Sequence, residues 1–532
     1  MKTLLKHATI YDGTVGAPFV GSVLYEGDRI LEVAANIDDS LADEVVDLTG
    51  LSLSSGFIDA HSHNDWFAIK QDPQPYFEPF VRQGITTFVT GNCGLSSVGF
   101  ESNSQHVDKI GGGLFFFNNT TGTYGSADDF FNAVDENTPC NIALLVGHCS
   151  ARAGVSGYAS GSLSPEDEQA MLAVLEKNLQ QGACGISLGL AYDPGLYADL
   201  DELKKIAALC LQYDKPLTVH ARASSAVSLA YPQLLGRSHL LRAMDELVEV
   251  AQGTKLKLQY SHAIFVGRKS FKDKKPLLAM LHKLQQDGVD IGFDMYNETV
   301  GVSVITVILP AWYRSMSEQE RAKPLNKLKL TVLTRAASKL LGFSLNDMQI
   351  AYAGENCREY EGKTVAEIAK LRGENEIQTY LHLCRESDFK GRVNMGPYYT
   401  QDIINDLCKE DMCIYMTDAW VEDFGVQNPA IYDCFPKFIR SSLTGSGDTM
   451  PRTIRKMTGQ TADRFALKDR GYVRAGAYAD LTVFSEADIK AATPGQAQSF
   501  GIERVVINGK TVLASGELDA QTLKTAGRAV RG

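Results

Sequence analysis

The stretch "GFIDAHSHND" at residues 56–65 decides how this chain is read. Its apolar lead, Gly56 to Asp59, suits a strand buried in the wall of a barrel. His61 and His63 follow two residues apart, so on a strand both imidazoles point to the same side. Two imidazoles side by side at a strand's C-terminal end suit a divalent metal. The same pair in a polar loop would carry no chemistry, so the neighbouring segments have to decide.

Working outward, short β-rich runs recur at 56–63, 85–93, 142–148, 185–190, 217–222, 257–262, 290–296 and 413–418. Between several of them the apolar residues take helical spacing, most clearly at 166–181 and 201–213. Strands alternating with helices predict an α/β fold, a parallel (β/α)8 barrel of the TIM type, whose C-terminal strand ends share one face. Residues 298–411 are too many for a connection. They predict an inserted, largely helical subdomain between strands seven and eight. Residues 1–54 break into short strands at 4–11, 22–26, 30–34 and 44–47, and the far end is alike at 479–484 and 505–507, with "INGK" (507–510) as a hairpin turn. Both termini are therefore expected to build one small β-sandwich, from 1–54 and 468–532, around a barrel spanning 55–467.

The strand ends carry the chemistry. "TTFVTGNCG" (86–94) ends in Cys93, flanked by Gly91 and Gly94, which let the backbone turn sharply and approach a ligand. "LTVHAR" ends strand five with His220, "LQYSHA" ends strand six with His262, and "CIYMTDA" ends strand eight with Asp418. Each has an ordinary alternative: an apolar cysteine fills a core, a histidine is a satisfied polar group, an aspartate caps a helix. The ordinary account has to hold at every position at once, on the face where barrel enzymes keep their active sites.

The 532 residues, 44% hydrophobic and 22% charged, allow a large barrel plus a smaller domain. A formal net charge of −12 gives no general attraction to nucleic acid or to anionic membranes. The ten cysteines are scattered with no CxxC pair, which reads as reduced thiols, and the N-terminal residues lack the apolar core of a signal peptide. The cytoplasm is the expected compartment, with no membrane span.

With these motifs in place, the chain resembles the N-acyl-D-amino-acid deacylases, or D-aminoacylases, of the amidohydrolase superfamily. The likeness runs through "GFIDAHSH" (56–63), "GNCG" (91–94), "GHCSAR" (147–152), "GACGISLGLAYDPG" (182–195), "HAR" (220–222), "SH" (261–262), "DMY" (294–296), "TDA" (417–419) and "GAYADLTVF" (476–484). Many amidohydrolases use a carbamylated lysine on strand four, where this chain reads "CGISLGL" without one. The resemblance implies that Cys93 takes that part. A tighter zinc would then be held by Cys93, His220 and His262, and a second, weaker position by His61 and His63 with Cys93 bridging. It further implies Asp418 as general base and acid, His148 as a supporting catalytic group, and Tyr192, Arg222 and Tyr296 around a small-molecule N-acyl amino acid.

Relatives often carry a lysine two residues after the strand-six histidine, where this chain has Ile264. Arg222, Arg268, Lys269 or Arg392 could supply a cation instead. The segment 428–440 follows the family pattern only loosely. Two other readings stay open: a different amidohydrolase reaction, such as cyclic-amide opening or deamination, and a non-catalytic scaffold.

Overall fold

The computed structural model describes residues 1–101, 103–106, 125–228, 230–231, 236–314, 316–493 and 500–532. Eight parallel strands form its centre: Phe57–Asp59, Ile85–Thr90, Asn141–Gly147, Gly185–Gly189, Leu217–His220, Lys257–Tyr260, Asp290–Met295 and Cys413–Tyr415. They are called strands one to eight below. Each pairs with the next in chain order, and the backbone N–H of Ala60 closes the ring by donating to the carbonyl of Tyr415 at 3.2 Å. Strand three, NIALLVG, is buried at every position, as a strand covered on both faces must be.

The helices around the barrel begin where the sequence supplies caps. Ser164 accepts from the backbone N–H of Asp167 at the start of Pro165–Gln180, with Pro165 and three acidic residues in the first turn. Asp199 caps Leu200–Gln212 in the same manner. His239–Ala251 buries Leu240, Leu241, Met244, Leu247 and Val250 along one stripe.

Strands from both ends of the chain pair into one continuous nine-stranded mixed sheet. Its junction is Ser52–Ser55, parallel to Lys2–Tyr11 on one side and antiparallel to Leu481–Phe484 on the other. This sheet has a core of its own, including Leu5, Val23, Leu53, Leu481, Val483 and Val506. The last residues depart from the expected division. Ala529–Val530 lies parallel to strand three and joins the barrel sheet rather than the terminal one.

Between strands seven and eight the insertion carries the helices Pro324–Leu341, Val365–Arg372 and Glu376–Glu386. It also contains a three-stranded antiparallel sheet of Gly301–Val304, Arg392–Met395 and Met348–Tyr352, in that order. The expectation of a largely helical insertion missed this sheet. Its strands are four or five residues long and far apart in sequence, too short for a period-two pattern to stand out. Among the described residues no helix is long and apolar enough to cross a membrane.

Candidate metal centre

Strand five, Leu217–His220, ends on its candidate residue, whereas strands one, two, six and eight stop two or more residues before theirs. Strand one ends at Asp59, so His61 and His63 stand just beyond the sheet rather than on one face of a strand. Their rings meet edge to face at 5.7 Å. Cys93, His262 and Asp418 all have positive φ, at 54°, 32° and 47°. Non-glycine residues avoid this region, at a cost of about 1–3 kcal/mol each, and such strain concentrates where function fixes the geometry. Glycine is required beside Cys93. A Cβ on Gly189 would lie 2.0 Å from the Cys93 carbonyl oxygen, and one on Gly94 would lie 2.6 Å from the Gly189 nitrogen. The turn after strand two thus presses directly against the end of strand four.

The outcome is a buried cluster around one sulfur. Cys93 Sγ lies 3.3 Å from His61 Nε2, 3.4 Å from His220 Nδ1 and 3.4 Å from His262 Nε2. Three groups of ligand atoms come within 4.8 Å of one another: His61, His63 and Cys93; Cys93, His220 and His262; and His61, His262 and Asp418. Asp418 Oδ1 is 3.6 Å from His61 Nε2 and 3.7 Å from His63 Nε2. The structure therefore gathers all five expected ligands and the expected aspartate in one place.

Burial alone would push the Cys93 thiol up, but the imidazoles of His61, His220 and His262 outweigh it and hold the group well below the usual thiol range. Burial likewise opposes ionisation of Asp418, and His61, His63 and His262 overcome it, so its carboxyl sits low. The donor set fits a metal. A tetrahedral zinc with bonds of about 2.3 Å to sulfur and about 2.0–2.1 Å to nitrogen separates those atoms by about 3.5 Å, close to the spacings found here.

Two carboxylates hold the cluster from behind, and the sequence reading singled out neither. Asp294 Oδ1 accepts from the backbone N–H of His262 at 2.6 Å and lies 3.4 Å from His61 Nδ1; its Oδ2 accepts from Gln259 at 3.1 Å. A carboxylate behind a ligating imidazole fixes its ring and tautomer. Asp59 accepts from the backbone of His61 and from both the N–H and the hydroxyl of Thr417, tying strand one to strand eight just before Asp418. Burial pushes its carboxyl up to about 7, with those hydrogen bonds opposing. The available signal was an aspartate inside each apolar run, "GFIDA" and "GFDMY".

No family model matches the chain. It is similar to the N-acyl-D-glutamate deacylase of Alcaligenes xylosoxydans xylosoxydans, 26% identical over 510 residues that cover 94% of this chain and 92% of the relative. A crystal structure of D-aminoacylase superposes with a TM-score of 0.77 at 24% identity, covering 100% of this chain and 99% of that one. N-acyl-D-glutamate deacylase from Bordetella bronchiseptica, solved with zinc and a phosphonate mimic of the tetrahedral intermediate, gives 0.79 at 21% identity over 100% and 99%.

Over nearly its whole length the chain is similar to the D-aminoacylase family of amidohydrolases, and it shares their fold.

Like those proteins in fold, it brings together buried His and Cys groups that could hold a metal. The other expected site residues are placed as follows. Tyr192 packs its ring 4.6 Å from that of His220, and buried Tyr296 packs 5.6 Å from Tyr399. His148 is buried and set apart from the cluster; its Nε2 lies 2.7 Å from Glu202, which also accepts from Arg152. Arg222 gives its donors to Glu246 and to the carbonyls of Leu196 and Ala198. The His148 Nε2 is thus committed to Glu202 while its buried Nδ1 has no partner among the described residues, and the Arg222 guanidinium is held by Glu246 and two carbonyls. Arg268 is paired with Asp347, and Arg392 with Glu422.

Proposed function

We propose that this protein is a zinc-dependent hydrolase that cleaves N-acyl amino acids, N-acyl-D-amino acids in particular, to a carboxylate and a free amino acid. The observation that carries this reading is the convergence of Cys93 Sγ with three imidazoles at 3.3–3.4 Å, beside Asp418. The names of the similar proteins supply the substrate class. Cys93, His220 and His262 would hold the tighter zinc, and His61, His63 and Cys93 the weaker one. Bound zinc supplies Lewis acidity that lowers the pKa of water from about 15.7 towards about 7 and polarises the scissile carbonyl.

The remaining chemistry belongs to the side chains. Asp418 takes a proton from the attacking water as its oxygen bonds to the carbonyl carbon. As the C–N bond breaks, Asp418 returns that proton to the nitrogen, because an amine leaves poorly unless protonated. Asp294 and Asp59 keep His61, His262 and the Asp418 turn in register throughout. Tyr192 and Tyr296 line the substrate pocket.

A neutral amide, such as a cyclic one, is the second reading. It is favoured by Ile264 at the position where relatives carry a lysine and by the pairing of Arg222, Arg268 and Arg392 with carboxylates. The deciding experiment incubates zinc-loaded enzyme with N-acetyl and N-formyl D- and L-amino acids and with hydantoins, reading product amine or ring opening. Release of free D-amino acids is expected. Turnover of hydantoins alone would move the second reading to first, and no turnover of any amide would overturn both.

A further inference from the structure

Two residues beyond Asp418, the Trp420 ring stands edge-on to the His63 imidazole, with centroids 5.6 Å apart and planes at 86°. The indole cannot swing freely, because its Nε1–H donates to Glu422 Oε1 at 2.9 Å. The same carboxylate oxygen accepts from Arg392 Nε at 3.1 Å. Arg392 lies on the central strand of the inserted sheet and is only 1% exposed, so its guanidinium is a cation buried inside the insertion. Glu422 is clasped a second time by Gln427, whose side chain accepts from the Glu422 N–H at 2.9 Å and donates to its carbonyl at 3.1 Å. The backbone N–H of Val426 donates to Ala351 on another strand of the insertion. On the opposite flank, Asp423 accepts from Lys70 and Tyr76, which follow strand one.

We propose that Trp420, anchored through Glu422 to the buried Arg392 of the insertion, is a positioning residue that fixes the orientation of the His63 imidazole and thereby sets the metal affinity of the His61–His63–Cys93 position. This rests on the metal-site reading above. Without the anchor, the indole can rotate about its side-chain bonds, and the edge that supports His63 moves with it. His63 then has to be ordered at the moment of metal binding, an entropic cost that a preset ring avoids. The insertion thus reaches His63 through one carboxylate oxygen.

The test compares zinc-loaded full-length wild type, Trp420→Phe and Glu422→Gln by stepwise zinc release to a chelator, thermal melting and steady-state kinetics. Phenylalanine keeps a ring against His63 but loses the anchoring N–H. The weaker zinc is expected to leave at about tenfold lower chelator concentration, with KM within about twofold and the melting temperature little changed. Glutamine keeps an acceptor for Trp420 but removes the charge opposite Arg392, so the melting temperature is expected to fall while zinc retention stays near wild type. Wild-type zinc release in Trp420→Phe would overturn the proposal. Should that variant fail to fold, Glu422→Met, which keeps the side-chain length but removes the acceptor for the Trp420 N–H, carries the same readouts, with loss of the weaker zinc expected and its retention overturning. Failure of the underlying reading is seen separately, as wild type that retains no zinc after loading and desalting.

Discussion

At the scale of single residues, the proposed reading separates holding a metal from moving a proton. Cys93 Sγ is common to the His61–His63–Cys93 and Cys93–His220–His262 groups, so its loss dismantles both. Asp418 stands to the side, 3.6–3.7 Å from two imidazoles and still partly open to the mouth, with 24% of its side chain exposed. Cys93→Ala is expected to lose its bound metal, read by elemental analysis of the purified protein. Asp418→Asn is expected to keep that metal while kcat falls by about a thousandfold, within the usual span for a general acid–base group. Full activity in Asp418→Asn would show that another group carries the proton. These ligands were legible in the sequence because each ends a β-rich run. Asp294 and Asp59 were not, because an aspartate inside a buried strand is silent until the fold shows what it accepts from.

Elements are held in place by a few buried charges. The helix Met450–Lys456 follows the barrel, and its Lys456 is 1% exposed. Lys456 donates to Asp448 and to the carbonyl of Cys408, both at 2.5 Å, and Asp448 also accepts from Arg452 at 2.8 Å. Burial raises the Asp448 carboxyl, but Lys456 and Arg452 overcome it, so the folded group titrates below its ordinary value. An acid depressed by folding stabilises the protein above its unfolded pKa of about 3.9 and loses that contribution as pH falls through the folded value. Asp448→Asn should therefore cost about 3 kcal/mol at neutral pH, since Lys456 is left buried without its partner. The gap from wild type should close progressively below about pH 4. Urea unfolding across that range checks both the size and the sign. Equal destabilisation at pH 7 and pH 3 would exclude the linkage. At this scale the sequence revealed strands and capped helices well, but not the short sheet of the insertion.

For the whole molecule, the barrel has one end for chemistry and one for assembly. Asp480, 2% exposed, sits where the terminal sheet meets the start of strand three. It accepts from Arg470, from Asn141 at 3.2 Å and from the backbone of Asn508 at 2.8 Å. Asn508 in turn donates to Asn141 and to the Ala526 carbonyl. Asn141 opens strand three, at the end of the barrel opposite the metal ligands. Asp480→Ala is expected to cost about 3–5 kcal/mol, because it strands a buried guanidinium, while kcat of the folded fraction stays within about twofold of wild type. Calorimetry and active-site-normalised kinetics would separate the two effects. A large fall in kcat would mean that the two ends are coupled.

By itself the sequence determined the barrel, the pairing of the two termini and which candidate ligands stand at the strand ends. Those are properties of local pattern: β-rich runs, helical spacing, and which residue stands where each run stops. Only the tertiary structure decided which side chains are free to act. His148 and Arg222 are engaged by Glu202 and Glu246, residues 54 and 24 positions away. Asp294 and Trp420 acquire their roles from neighbours contributed by other strands and by the insertion. A hydrogen-bonding group is available to a ligand only if no nearer partner has taken it, and that partner is set by distance in space rather than by order along the chain.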